Sequence, residues 1–506
     1  MSRSKEKQEK QQKKQEVKML ERIHSAKVTS VAHEERKKRP ALPNRLNMRE
    51  STEEEQNEQQ DMVEKATMVY RQMLPSLLKK LSKIKDPRRP GSITHKLTVL
   101  MVYGILMFVE QSGSRREMNR TMTRIHGENL QAMFPELETM PHADTLARLL
   151  ERIDVSEIQK CMIELEKELI RKKKFKNYLI RKNYRVAIDG TQKLFRDYQW
   201  NDNCMVRHVG GEERIPQYYV YVLESVLVLD NGITLPFFSE FLKNGEYIEG
   251  VNKQDCERKA FERLAGRIKA AFPKLKITLL VDGLYACGPV IRKCREYGWG
   301  YMIGLKEDSL KDVWHEALGL MRLSPENSLN VKWGEREQLY AWANDIEYEH
   351  GENRSKKENV HVVICYETWQ ENHSQSTKEV EEKKTRYAWI SSAPLNHRNV
   401  FLRCTKMGRY RWQIENNILT EKHQGYGYEH CYSYTWNAME GYHYLMKIGR
   451  FLNVMALNSE LLVEHVKELG IRGFIVCLKT ACRGNLLNRE KLTKATNKEV
   501  RWRLIA

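Results

Sequence analysis

Apolar residues in this chain change their period several times, and each change predicts a new kind of element. From Met62 to Leu81, Lys96 to Val109 and Thr145 to Lys172 they recur at helical spacing. Pro75 interrupts the first of these stretches, and Lys85 to Gly91 and Glu136 to His142 are turn-forming breaks between them. Residues 62–180 therefore read as a helical N-terminal domain, with Asp144 or Thr145 capping the helix that begins Leu146-Ala147-Arg148. Beyond it the period shortens. Tyr184 to Ile188 is a short apolar run closed by Asp189-Gly190, and Ile277 to Val281 is another closed by Asp282-Gly283. Both predict buried strands that deliver a carboxylate at the C-terminal end. Gln217 to Leu223 and Ser225 to Leu229 predict two more strands, and Asp230-Asn231-Gly232 a tight turn before Ile233 to Phe238. Glu257 to Ala271 and Gly288 to Tyr297 have helical spacing, and Tyr301 to Leu305 is again strand-like. Strands first, then helix and strand in alternation, give an α/β core over 181–305: a mixed sheet with flanking helices.

The next stretch, up to a helical segment near Trp412, is too long for one connection within a compact core. Its apolar pieces, Asn330 to Trp333, Gln338 to Trp342, Val360 to Tyr366 and Arg386 to Ile390, predict strands broken by polar segments. Residues 306–395 are accordingly expected to be a β-rich insertion, 396–455 the final helices of the core, and 456–506 a helical, basic tail. Residues 1–61, rich in Lys, Glu and Gln, carry too little apolar surface to fold alone. They read as a solvated tail or as an arm for a polyanion.

Charge narrows the class of partner. There are 86 Lys and Arg against 67 Asp and Glu, a formal net charge of +19, and nucleic acid is the simplest partner for such a chain. The ten cysteines include no Cys-x-x-Cys pair, which argues against a zinc ribbon or a disulfide framework and for reduced thiols. No apolar segment follows the charged start as a signal peptide would, and the most apolar run, Leu97 to Val109, is too short to span a bilayer. No membrane partner is expected.

The chemistry gathers around a third acid. Arg411, Glu415 and Lys422 are spaced by four and seven residues, which places them on one side of a helix. Singly, each acid has an ordinary explanation, an Asp-Gly turn for two of them and a surface ion pair for the other. Together, Asp189, Asp282 and Glu415 are three hard oxygen donors of the kind Mg²⁺ takes. Two such ions about 4 Å apart promote phosphodiester attack by water or a 3′ hydroxyl.

On these residues the chain resembles the DDE transposases of bacterial insertion sequences, of the IS-four superfamily type. Their third acid sits in a signature of Tyr, two residues, Arg, three residues, Glu, six residues, Lys. Arg411, Glu415 and Lys422 fit it, while Gly408 occupies the Tyr position. Gly425 to His430 is similar to the turn that ends this helix in relatives, and Asp86 to Gly91 and Pro141 to Thr145 are similar to the associated N-terminal region. The resemblance implies a ribonuclease H-like core in which Asp189, Asp282 and Glu415 ligate two Mg²⁺, with Mn²⁺ as a substitute. It implies strand cleavage at transposon ends and strand transfer into target DNA, with Arg411 and Lys422 holding phosphates. The implied partners are double-stranded DNA, as terminal inverted repeats and as target, and a second copy of the chain in a synaptic homodimer, in the bacterial cytoplasm at the nucleoid. In hairpin-forming relatives an insertion like 306–395 helps hold the transposon end and a flipped base. Of its tryptophans, Trp333 or Trp342 is expected to stack on that base. Two alternatives stay open: a two-metal nuclease without strand transfer, and a domesticated DNA-binding protein with an idle core, for which the missing Tyr speaks.

Overall fold

The computed structural model describes residues 50–244, 255–372, 380–500 and 502–505. Most of the tail expected over 1–61 lies outside the described residues. The chain divides into two compact units: the larger holds residues 56–327, 342–363 and 388–506, and the smaller includes 328–341 and 364–387.

The N-terminal part of the larger unit is helical: α1 (Thr52–Arg71), α2 (Leu74–Leu81), α3 (Leu97–Val109), α4 (Arg115–Thr121), α5 (Arg124–Met133), α6 (Ala143–Leu150) and α7 (Ser156–Arg171). The helix expected from Met62 begins ten residues earlier, because Thr52 to Gln59 is a Glu- and Gln-rich stretch of good helix formers that needs no burial. Pro75 sits in the first turn of α2, where its missing N–H costs nothing. Neither Asp144 nor Thr145 caps α6. The cap is His142, whose ring nitrogen accepts from the Asp144 N–H. The single helix predicted over 145–172 is two, because the Asp154 carboxylate accepts from Ser156 N and Oγ and starts α7 afresh.

The sheet is built from β1 (Tyr184–Arg196), β2 (Met205–Val209), β3 (Ile215–Val228), β4 (Thr234–Phe241), β5 (Ile277–Val281) and β6 (Gly300–Gly304), with α8 (Glu257–Ala271) and α9 (Gly288–Tyr297) between the later strands. β3 is one strand where two were expected. One of its edges pairs antiparallel with β1, and the other carries β2 and then β4. β1, β5 and β6 are mutually parallel neighbours.

Residues 306–395 do not form one β-rich body. They open with α10 (Lys311–Leu323) and continue through β7 (Ser328–Trp333), β8 (Arg336–His350), β9 (Lys356–Asn372) and β10 (Val380–Ser391). The smaller unit takes β7, its hairpin partner in the first part of β8, and parts of β9 and β10. In the larger unit, Trp389 to Ser391 of β10 pair antiparallel with Gly304 to Met302 of β6, so the end of the supposed insertion belongs to the main sheet.

Next come α11 (Val400–Arg403), a π-helical stretch at Cys404–Gly408, a 3-10 turn at Arg409–Arg411, α12 (Trp412–His423), α13 (Trp436–Leu457), α14 (Val463–Gly484) and α15 (Arg489–Asn497). α13 is almost wholly buried, and its buried residues include Glu440, Lys447 and Arg450 as well as apolar side chains. It packs on α3 through glycines: a Cβ on Gly449 would lie 2.7 Å from that of Phe108, and one on Gly104 2.7 Å from the Leu445 side chain. Because α13 also contacts α6, α7 and β4, the helical region and the sheet share one core. Among the described residues no helix is long and apolar enough to cross a membrane. All ten cysteines are free thiols.

Candidate active site

Pairing between β1 and β5 ends at Ala187 opposite Leu280. Asp189 and Asp282 each lie two residues further on, so the register brings both acids to one level on adjacent parallel strands, whose backbones run about 5 Å apart. The strand after Asp282 stops: its carboxylate accepts from Leu284 N at 3.0 Å and caps the 3-10 turn Gly283–Tyr285. The strand after Asp189 does not. β1 continues to Arg196 because β3 still pairs with it after β5 has ended, so the expected strand-end acid is a mid-strand acid at the edge of the parallel region. Gly190 follows it for a steric reason, since a Cβ there would come within 2.8 Å of Tyr221 and Glu257.

Glu415 lies in the first turn of α12. The Arg411 guanidinium, mostly buried, reaches Glu415 Oε1 at 2.6 Å and Asp189 Oδ2 at 3.6 Å, so one cation ties the helix acid to the strand acid. Burial pushes the Asp189 carboxyl up to about 6; Arg411 and the Gly190 N–H oppose this, while Asp282 and Glu415 add to it. Both other acids therefore act on Asp189. Among the described residues no three His, Cys, Asp or Glu side chains are gathered tightly enough to hold a metal ion as they stand, and Arg411 bridges two of the acids concerned. As a donor set they are carboxylate oxygens only, the chemistry a hard divalent cation requires.

Lys422 pairs with Glu429 Oε1 at 2.9 Å. Both cations expected on phosphate thus rest on protein carboxylates here. Gly408 also has a physical reason. A Cβ there would lie 2.7 Å from the Trp389 indole, which leaves no room for the tyrosine of the signature. The neighbouring Tyr410 instead donates to Asp230 O at 3.0 Å with the Arg185 guanidinium over its ring, and Lys406 binds Asp230 at 2.9 Å while its carbonyl accepts from Arg185. These contacts fasten the turn before α12 to β1 and to the hairpin turn after β3.

Trp342 fails its expected role. It is 1 % exposed, edge-on to the His397 ring at 4.9 Å, and is a core residue that no base can reach. Trp333 is 41 % exposed in the smaller unit. The sequence reading passed over Trp412, 52 % exposed and within 4.8 Å of the Arg411 guanidinium.

It also missed two sets of polar residues. Glu257, at the start of α8, accepts from Tyr221 at 2.7 Å and from Tyr285 at 3.1 Å. Glu224 stands directly opposite Asp189 on β3 and is buried. It accepts from Tyr428 and Ser239 and pairs with Lys447 at 3.1 Å, which also binds Glu421 of α12 at 2.6 Å. Burial works against charge on both Glu224 and Lys447, yet each holds the other ionised, Glu224 well below the usual carboxylate range and Lys447 above the usual amine. A lone acid in the apolar run Val220 to Val228, and a lysine within the largely apolar stretch Tyr444 to Ile448, were the available signals.

Residues 249–452 match the family model described as Transposase DDE domain, and residues 78–165 match the one described as DDE_Tnp_1-associated. The first match takes in Asp282, Glu415, Arg411 and Lys422; Asp189 precedes it. A search of curated proteins finds no match.

Proposed function

Because the chain belongs to the DDE transposases of insertion-sequence type, we propose that it cuts DNA at the ends of its element and joins the freed 3′ ends to target DNA, with Asp189, Asp282 and Glu415 as its three acids. The observation that carries this reading is the shared level of Asp189 and Asp282 on adjacent parallel strands, with Glu415 tied to Asp189 through Arg411. The core is then a ribonuclease H-like sheet, with β1 and β5 as its two acid-bearing strands.

A pair of Mg²⁺ ions, or Mn²⁺ in their place, held by these three carboxylates would supply activation of the attacking oxygen and charge stabilisation at the leaving oxygen. The remaining work falls to the chain. Asp189 gives up its proton to become a ligand, so assembly of the site is linked to pH. Arg411 turns from Asp189 and Glu415 to a DNA phosphate, where its planar fork can bind two oxygens at once. Lys422 exchanges Glu429 for a phosphate in the same way. Trp333 stacks on a displaced base at the transposon end, and two copies of the chain hold two ends together.

The test is a set of three variants, Asp189→Asn, Asp282→Asn and Glu415→Gln, assayed for Mg²⁺-dependent nicking of a duplex that carries the element's end. Each should lose nicking by about a thousandfold or more, in line with removal of a principal electrostatic group, while binding the duplex nearly as well as the parent. A variant that nicks at the parent rate removes that acid from the site. Supplying a precut end separates the alternatives: joining to target DNA is expected, and cutting without joining would make the protein a nuclease only.

A further inference from the structure

Away from the three acids, the larger unit has a basic cleft of about 640 Å³ that the reading above does not use. Its walls come from α4, from the residues around the start of α6 and from the turn beyond α12, and include Arg115, Arg116, Arg120, His142, Asp144 and His430. Arg115 is partly matched by Asp144 at 3.4 Å. Arg116 and Arg120 are different. Both are exposed, and neither makes a hydrogen bond or ion pair among the described residues. They sit four apart on one helix, where like charges repel, and an anion between them would turn that repulsion into attraction.

Two further facts say which anion. His430 and Cys431, on the cleft wall, lie between Tyr428, whose carbonyl accepts from Lys193 at 2.7 Å, and Tyr434, whose ring is 5.9 Å from the Arg196 guanidinium, which places the cleft near the far end of β1 from Asp189. From Asp189 to Arg196 is seven residues of strand, roughly 23 Å at 3.3 Å per residue and so about seven base pairs of a duplex rising 3.4 Å per step. The cleft is also much larger than one free phosphate and is open enough to admit a sugar-phosphate chain.

We propose that this cleft holds a backbone phosphate of the DNA duplex whose cleaved bond lies at the three acids, with Arg116 and Arg120 as the ligands. The proposal rests on the DNA-cleaving reading and adds a fixed second contact to it. The cleft sets how the duplex lies along β1, while the acids act on one bond.

The experiment uses the full chain, the double variant Arg116→Gln/Arg120→Gln, and a fluorescein-labelled duplex of several helical turns that carries the element's end. Glutamine keeps helix propensity at two exposed positions, and circular dichroism checks the fold. The variant should bind about tenfold more weakly at moderate salt, and its slope of log affinity against log salt should be shallower by about one, the lost phosphate contact contributing roughly 0.9. Methylphosphonate linkages walked along each strand then locate the contact. A neutral linkage about seven base pairs from the nick should weaken the parent and leave the variant indifferent. An unchanged slope, or a sensitive linkage more than a helical turn away, overturns the proposal while the transposase reading stands. A parent protein that neither binds nor nicks the duplex overturns both.

Discussion

Asp189 holds its proton more tightly than an ordinary aspartate because burial and two neighbouring acids disfavour its charge. Burial, Asp282 and Glu415 raise its carboxyl from 3.8 to about 6, and Arg411 offsets only part of this. The folded chain therefore binds more protons than the unfolded chain between those values. The ionised carboxylate weakens the fold by an amount absent below about pH 4 and complete above about pH 6, so stability from this group falls as pH rises. Asp189→Asn should stabilise the protein in metal-free buffer by about 1–2 kcal/mol near pH 8 and by almost nothing near pH 4, the figure being reduced for the quarter of the side chain that is exposed. Urea unfolding at the two pH values measures this, and an equal effect at both would refute it. Over the same window, Mg²⁺-dependent nicking should fall as pH drops below about 6, because the ligand must be deprotonated. The two aspartates were legible in the sequence because an apolar run closed by Asp-Gly is a local pattern. Glu224 and Glu257 were not, since their meaning comes from which strand lies opposite and which tyrosines reach over.

At the scale of elements, local signals held up best where the element was self-contained. Leu97 to Val109, and the strand over Ile277 to Val281, stand where the apolar pattern put them. The errors arose where a partner decides the outcome. β1 outlasts its predicted end because β3 continues to pair with it, and α6 begins on a histidine cap that no cap rule ranks highly. The segment before α12 is the clearest example. Its Gly408 looked like a defect in a signature, yet Trp389 from β10 occupies the space a side chain would need. Restoring the tyrosine with Gly408→Tyr should therefore destabilise rather than repair the protein, by at least the 1–3 kcal/mol typical of overpacking. Combining it with Trp389→Ala should recover part of the loss, so that the double variant is more stable than the sum of the two singles by about 1 kcal/mol or more. Denaturant midpoints of the four proteins give this coupling directly, and strict additivity would show that the indole and position 408 do not compete.

For the whole molecule, no local pattern foretells how one helix joins the parts. Residues 62–180 and the sheet were legible as separate regions, but α13 packs against α3, α6, α7 and β4 at once, and an apolar helix does not advertise its neighbours in its own periodicity. The insertion was overdrawn for a related reason: β10 returns to β6, a long-range pairing that depends on sheet order. At the centre of this shared core, Lys447 of α13 pairs with both Glu224 of β3 and Glu421 of α12, which links the sheet below Asp189 to the helix that carries Glu415. Removing the lysine would strand two buried carboxylates. Lys447→Ala should cost about 3–5 kcal/mol, the usual penalty for breaking a buried pair from one side, and should lower nicking more than DNA binding, since α12 loses its tie to the sheet. The second arm is Lys447→Met combined with Glu224→Gln and Glu421→Gln, which removes the charges together. If the triple variant regains most of the stability that Lys447→Ala loses, unpaired charge is the cause. If it is no more stable than Lys447→Ala, the loss lies in packing around α13, and the ion network is incidental to holding Glu415 beside Asp189.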